Sequence, residues 1–391
     1  MSNFRGFRDV RGGVLLVLLL GLAACSSAPP EPEPKSYPAL PHEHVELERL
    51  WKVSVGEGLG EEHVRLLPAI GEQQLVAASR NGVVLALDRA SGKTMWKVKT
   101  QLPLTAGPAL AYGLIALGTA KGEVLALAPE DGAQKWKVSV GAAVMAVPTI
   151  SADTVVVLAA DGVIHALARD NGETRWTYNT TVPPLSLHAS AAPLISGDHV
   201  YVATSGGKLL GLDLATGVAE WELRVANNNG RSELERMNDI VSNLLQVDEH
   251  DLYSVGYQSQ LTATDVESGR RRWQLDVSSV NDLAEGLGNV YVTDTGGNVL
   301  AVDRASGKVL WKQPDYAWRK LTAPGIFSGL VAFGDDRGRV HFLGQSDGQV
   351  HGRTRVSGDA LASVQSRDDV LYVWSVEGVL SAWKIDPNPR W

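Results

Sequence analysis

Short runs in which apolar and polar residues alternate recur along the chain, each followed by a turn with glycine and then by tryptophan four residues after that glycine. Alternation of this kind is typical of a half-buried β-strand, whereas an amphipathic helix repeats every three to four residues. A repeat must be considered before any other feature, because it determines the architecture. Six complete copies occur, with the tryptophans Trp96, Trp136, Trp176, Trp221, Trp273 and Trp311.

The spacing of these tryptophans identifies the repeating unit. They follow one another at intervals of 40, 40, 45, 52 and 38 residues. Intervals near 40 residues that contain several short strands are typical of propeller blades with four strands each. The turn from Asp88 to Gly92 has suitable chemistry, because Asp can accept from backbone N–H groups and Gly allows a positive φ. We therefore predict an all-β protein, a β-propeller of four-stranded antiparallel blades.

Two less regular units near the carboxyl end bring the number of blades to eight. The seventh unit has Gly352 where tryptophan is expected, which predicts a weak joint. The eighth unit lacks its last strand, and a matching strand around Trp51 stands near the amino end. We predict an eight-bladed propeller over residues 47–391, in which the N-terminal strand completes the C-terminal blade. Closure of the ring in this way removes most exposed sheet edges.

The repeated tryptophans are predicted to be structural. A flat indole can cover the gap between adjacent blades, and the fixed spacing places each indole at the same height. Truncation of one such side chain to alanine should cost about 3–5 kcal/mol. This structural role is assigned to Trp51, Trp96, Trp136, Trp176, Trp221, Trp273 and Trp311.

The first 24 residues have the pattern of a secretory signal peptide. Three arginines precede an apolar stretch that is short for a membrane span, and the stretch ends at Leu22-Ala23-Ala24-Cys25. This ending matches a bacterial lipobox, which predicts lipidation of Cys25, the single cysteine of the chain. The alternative is an unmodified cysteine beside a signal peptide. Ser26, in place of Asp, favours the outer membrane by analogy with bacterial sorting.

Residues 25–46 are predicted to form a lipidated flexible tether. Proline and glutamate dominate the segment after Cys25, and this composition favours an extended, hydrated chain. The tether would hold the folded body away from the lipid surface.

Charge and motifs exclude several classes of function. The net charge is −8, and it is −10 from Cys25 onward, which disfavours nucleic acid as a partner. The chain has no nucleophile elbow, no phosphate-binding loop and no metalloprotease helix motif. The histidines are scattered and no metal-ligand set is suggested. We therefore predict no catalytic residue, no metal and no cofactor.

Two segments interrupt the repeat, and such deviations map to loops that commonly carry function. They are residues 182–193 and 226–241, and we expect them to emerge together on one side of the ring. Leu185 and Leu187 lie two apart in the first segment and therefore on one side of an extended chain. They either form an apolar knob for a partner or fold under their own loop.

Together these residues resemble a known family. The repeat itself is similar to that of pyrroloquinoline-quinone dehydrogenases. The whole chain resembles the BamB family of outer-membrane propeller lipoproteins. The resemblance rests on five features in the same order: the lipobox, the tether, Trp51 followed by Ser54 to Gly60, Leu185-Ser186-Leu187 and Ser279-Val280-Asn281-Asp282.

The resemblance implies a non-enzymatic scaffold at the periplasmic face of the outer membrane. Members of the family bind the POTRA domains of BamA in the β-barrel assembly machine and support insertion of outer-membrane proteins. Leu185 and Leu187 match the family's apolar pair for partner binding. His188 stands where the family often has arginine, which would weaken this contact and make it pH-sensitive. Asp239 matches one acidic position, and Val241 replaces the other.

Two alternatives remain at this stage. A periplasmic quinoprotein dehydrogenase would place a quinone with calcium in the central funnel, but the chain has no pair of adjacent cysteines, which such enzymes typically carry. A binder of sugars or peptides in the central channel is the other alternative.

Overall fold

Thirty-two β-strands form eight antiparallel sheets in the part of the chain that the structure, a computed structural model, describes: residues 33–60, 64–183, 185, 191–225 and 238–388. The chain divides into two units, Met1–Pro34 and Lys35–Trp391, and all of these strands belong to the second unit. The four-stranded sheets follow one another along the chain as the blades of a propeller, and the described residues contain no helix.

The first four blades each use four consecutive strands, from the innermost to the outermost. Blade one comprises β2 (Ala69–Ile70), β3 (Gln74–Ala78), β4 (Val83–Asp88) and β5 (Thr94–Lys99). Blade two comprises β6 (Leu104–Ala111), β7 (Leu114–Thr119), β8 (Glu123–Leu127) and β9 (Gln134–Ser139). Blade three comprises β10 (Thr149–Ile150), β11 (Thr154–Leu158), β12 (Val163–Ala168) and β13 (Thr174–Asn179). Blade four comprises β14 (Leu194–Ser196), β15 (His199–Thr204), β16 (Lys208–Asp213) and β17 (Ala219–Arg224).

The remaining blades keep this order until the last one. Blade five comprises β18 (Leu245–Gln246), β19 (Asp251–Ser254), β20 (Leu261–Asp265) and β21 (Arg271–Leu275). Blade six comprises β22 (Ala284–Gly286), β23 (Asn289–Thr293), β24 (Val299–Asp303) and β25 (Val309–Gln313). Blade seven comprises β26 (Gly325–Phe327), β27 (Leu330–Gly334), β28 (Arg339–Gly344) and β29 (Val350–Arg355). Blade eight comprises β30 (Leu361–Arg367), β31 (Val370–Ser375), β32 (Val379–Ile385) and β1 (Leu47–Ser54).

The N-terminal strand closes the ring. β1 pairs antiparallel with β32, and Trp51 lies opposite Ala382. This pairing confirms both the prediction of eight blades and the prediction that the N-terminal strand completes the last blade. A sheet closed by both ends of a chain leaves few exposed backbone groups for unwanted pairing.

Strand order gives the ring two distinct faces. Connections from the outermost strand of one blade to the innermost strand of the next emerge on one face, together with the turns between second and third strands. We call this side the loop face. The tight turns between first and second strands, such as the one at Tyr112, lie on the opposite face.

Seven of the eight joints between blades are closed by a tryptophan from the repeat. Each indole N–H donates to a backbone carbonyl of the next blade at 2.7–3.1 Å, in the pairs Trp51–Arg89, Trp96–Pro129, Trp136–Arg169, Trp176–Leu214, Trp221–Val266, Trp273–Arg304 and Trp311–Gln345. The turn glycine of the next blade lies directly against each ring, as Gly92 does against Trp51. A β-carbon there would collide with the indole, and the φ of +68° also favours glycine.

The eighth joint, between blades seven and eight, uses a different filling. Gly352 stands at the tryptophan position of β29, and Val45 occupies the space beside it. Val45 forms a parallel bridge with Gly352, and its N–H donates to the carbonyl of His351 at 2.7 Å. The sequence predicted a weak joint here. The structure instead places the chain just before β1 where an indole would lie.

Candidate partner-binding surface

The described ends of the two irregular segments meet on the loop face. Pro183 lies against Gly206, and the Gly206 N–H donates to Asp239 Oδ1 at 3.1 Å. Pro183 belongs to the first segment and Asp239 to the second, so one turn of blade four contacts both. The segments therefore begin and end close together, as the sequence analysis expected of these excursions.

Only part of the predicted partner-binding set falls in the described residues. Leu185 is described, and it is 41% exposed, so its side chain is accessible to a partner. Leu187 and His188 lie outside the described residues. Their predicted role in partner binding stays a prediction.

Asp239 is described but is not on the surface. It is 1% exposed, and its carbonyl accepts from the Tyr257 N–H at 2.9 Å while its carboxylate accepts from Gly206. Val241, at the position where the family resemblance places a second acid, is also buried. The geometry therefore suits Asp239 to holding the base of the second segment. A contact with a partner was predicted for it from the resemblance alone.

A polar network on the loop face crosses the ring and reaches the first segment. Arg65, between blades eight and one, donates to Asp282 Oδ1 at 3.2 Å and to Asn243 Oδ1 at 2.9 Å. Asn243 donates from its backbone N–H and its amide to the two oxygens of Asp282, at 2.6 and 3.0 Å. Asn243 Oδ1 also accepts from the Ala192 N–H at 2.8 Å. Arginine thus joins opposite sides of the ring to the end of segment 182–193.

Neither Arg65 nor Asn243 was predicted from the sequence to be functional. Asp282 entered only as part of the segment Ser279–Asp282 that carries the family resemblance. No local pattern could have identified Arg65, because its partners lie 178 and 217 residues away.

A cavity of about 570 Å³ lies beside this network on the axis of the ring. Residues from opposite blades line it, mostly apolar ones such as Leu59, Val64, Val280 and Val376. Arg65 and Asp282 supply its charged groups and bind each other. Since opposite charges in contact satisfy one another, the network leaves the cavity predominantly apolar.

The described residues contain no group of three or more His, Cys, Asp or Glu that could hold a metal ion. In the same residues, no helix is long and apolar enough to cross a membrane. Cys25 and the predicted signal peptide of residues 1–24 lie outside the described part of the chain.

The fold and this surface define a class: an eight-bladed propeller whose two irregular segments begin and end on one face. Comparison with known proteins specifies the family. The family model described as outer membrane protein assembly factor BamB matches residues 48–103 and 80–313. The outer membrane protein assembly factor BamB of Pseudomonas aeruginosa is 48% identical over 375 residues, which cover 95% of this chain and 98% of that protein.

Solved structures agree with this result. The crystal structure of BamB from Moraxella catarrhalis is 30% identical, covers 87% of this chain and 100% of that one, and superposes with a TM-score of 0.80. The chain belongs to the BamB family of outer membrane protein assembly factors. Quinohemoprotein alcohol dehydrogenase from Comamonas testosteroni superposes with a TM-score of 0.70 over 88% of this chain and 78% of that one. At 13% identity, this likeness shows a shared fold alone.

Proposed function

We propose that this protein is a non-enzymatic scaffold of the outer-membrane β-barrel assembly complex, held at the periplasmic face of the membrane by a lipid on Cys25. It binds the POTRA region of BamA through segment 182–193 and so supports insertion of outer-membrane proteins. Membership of the BamB family is the single observation that carries this proposal.

The arrangement of the loop face supports the binding step. Leu185 is exposed on a segment whose two ends are tied down, by Pro183 against Gly206 and by Ala192 to Asn243. A segment held at both ends loses less conformational freedom when a partner binds, which favours affinity. Side chains at the centre of such a contact, where water is excluded, usually contribute most of the binding energy.

The neighbouring polar residues take different parts in this proposal. Asp239 is buried and orders the base of segment 226–241, so it positions the surface. His188 replaces the arginine that the family often has, so its contact with the partner would be weaker and sensitive to pH. A lipid anchor on Cys25 would raise the concentration of the scaffold near a membrane-embedded partner.

The experiment is co-purification with BamA from native membranes. The variant Leu185→Asp/Leu187→Asp should lose BamA, because each carboxylate would have to be buried in an apolar contact. Leu287→Asp is the matched control, since Leu287 is 72% exposed and lies in a tight turn on the opposite face.

The control variant should retain BamA, and both variants should melt close to the parent. Undiminished recovery of BamA with the double variant would refute the site. A Cys25→Ala variant should appear in the soluble periplasmic fraction; if it stays in the membrane after cleavage of the signal peptide, the lipid anchor is wrong.

A further inference from the structure

An N-terminal segment, Lys35–Val45, is fixed to blade seven before the propeller begins. Its main attachment is Tyr37, which stacks on His341 with ring centroids 5.5 Å apart and donates its hydroxyl to Asp335 Oδ2 at 2.7 Å. Arg319, whose guanidinium carbon lies 3.7 Å from the Tyr37 ring centroid, covers the ring. A cation over an aromatic ring is attracted by the electrons of the ring face.

Two further arginines complete the attachment. Arg339 and Arg353 lie 4.7 and 4.6 Å from the Tyr37 ring centroid. Arg319 and Arg353 also donate to the backbone carbonyls of Lys35 and Pro38, at 2.6 and 3.2 Å. Both side-chain and backbone contacts therefore fix the place where the chain reaches the propeller.

That place lies on the loop face beside the connection between blades six and seven. The Lys35 N–H donates to the carbonyl of Ala317 at 3.2 Å, and its ammonium group donates to the carbonyl of Pro314 at 3.1 Å. The next residue in this connection is Trp318, which is 54% exposed. Its φ of +67° is unusual for a bulky residue, and its N–H donates to the carbonyl of Gly296 at 2.9 Å. A firmly held backbone thus presents an indole to solvent.

Two features suit Trp318 to a contact with the membrane: the positive charges near it and the short length of chain back to Cys25. Lys35, which hydrogen-bonds to residues just before Trp318, and Lys320, two positions after it, are both exposed. Asp336 lies 3.9 Å from Arg319, whose side chain is 7% exposed. Lys35 is the tenth residue after Cys25, and an extended chain spans at most about 3.6 Å per residue. A lipid at Cys25 would therefore keep Lys35 within about 36 Å of the bilayer. Tryptophan favours the boundary between lipid and water, and lysine favours anionic headgroups.

We propose that Trp318, Lys320 and Lys35 form a membrane-contacting corner that touches the phospholipid headgroups of the membrane holding the anchor. The inference rests on the proposed lipid anchor at Cys25. It adds an orientation: the loop face near blades six and seven is turned toward the bilayer. The contact is with lipid, and a protein partner at the same corner is the competing outcome.

The test uses the full-length lipidated protein in vesicles of phosphatidylethanolamine and phosphatidylglycerol. A Trp318→Cys variant supplies the free thiol for an environment-sensitive fluorophore, because the lipid occupies the sulfur of Cys25. Tyr112→Cys is the matched control, since Tyr112 is 60% exposed, has a φ of +46° and lies on the opposite face. Lys320→Cys provides a second labelled position should the first variant fold poorly.

Emission from position 318 or 320 should shift to the blue, and lipids with nitroxide headgroups should quench it several-fold more than emission from position 112. Equal quenching at the two faces would overturn the proposal, as would a label that responds to a soluble POTRA fragment and not to lipid. Failure of the labelled protein to float with vesicles would remove the anchor and this proposal together. Co-purification with BamA reports separately on the partner-binding surface.

Discussion

For the Gly352→Trp variant, the sequence repeat and the structure predict opposite changes in stability. The other seven joints carry an indole at this position, so the repeat alone suggests that Gly352→Trp would strengthen the ring. The structure predicts the opposite result. A β-carbon on Gly352 would lie 2.5 Å from the carbonyl oxygen of Val45 and 2.9 Å from its β-carbon. These atoms belong to the N-terminal segment, which would have to leave the joint.

The cost follows from the contacts that would be lost. Overpacking a filled site costs about 1–3 kcal/mol. Displacing Val45 also breaks its backbone hydrogen bond to His351, which contributes about 1 kcal/mol. A loss of 1 kcal/mol lowers the melting temperature of a domain of 150–250 residues by about 2–4 °C. The propeller is larger than such a domain, so the Gly352→Trp variant should melt a few degrees below the parent protein.

Thermal unfolding followed by circular dichroism measures this effect. Gly352→Ala tests the collision alone, and Gly358→Ala is its matched control, because a β-carbon on Gly358 meets nothing within 4 Å. Limited proteolysis should cut the N-terminal segment faster in both Gly352 variants than in the control. A Gly352→Trp protein that melts above the parent would refute the assignment of Val45 as the filling of this joint.

Two further predictions concern polar groups in the ring. Arg65→Ala should speed hydrogen exchange around Ala192 and weaken recovery of BamA, because hydrogen bonds to charged groups contribute about 1.5–3 kcal/mol. Asp282→Asn keeps an acceptor for Asn243 and should have a smaller effect. Unchanged exchange in Arg65→Ala would exclude a positioning role for Arg65. Burial lowers the pKa of His341 below its ordinary 6.5, although the hydrogen bond to Asp335 opposes this shift. As the pH falls, the histidine of the unfolded chain is therefore protonated before that of the folded protein. The free energy of unfolding should consequently decrease as the pH drops below about 6.5. Thermal melts of parent and His341→Gln between pH 8 and 5 should differ by at most about 1.4 kcal/mol per pH unit, and parallel curves would contradict the burial of a neutral histidine.

The ring could be predicted because its signal is local and repeated. Each blade encodes its own alternation, turn and tryptophan within about 40 residues, and the joint between neighbours needs only the next repeat. Closure was also readable, since the strand missing after Trp383 and the surplus strand at Trp51 are complementary. A pattern that is repeated along the sequence can be detected even where the strand propensity of each single copy is weak.

The N-terminal segment could not be predicted, since its contacts are far apart in the sequence. Composition placed residues 25–46 in an extended, hydrated tether, whereas Lys35–Val45 lies on blade seven. Tyr37 and Asp335 are 298 residues apart, and only folding brings three arginines around one tyrosine. The missing indole at Gly352 was the visible sign that something else fills this joint. The pattern showed the space and not its occupant.

The position of the two proposed contact surfaces gives the ring a mechanical role. The membrane-contacting corner lies between blades six and seven, and Leu185 lies between blades three and four, so three of the eight blades separate them on one face. Tryptophans close the two joints within this stretch, and each of these indoles donates a hydrogen bond to the next blade. In a ring closed in this way, the distance between two points on one face varies little. Under both proposals, a lipid contact at one corner would hold the apolar segment at a nearly fixed distance from the bilayer and its embedded partner, which a flexible tether alone would not do.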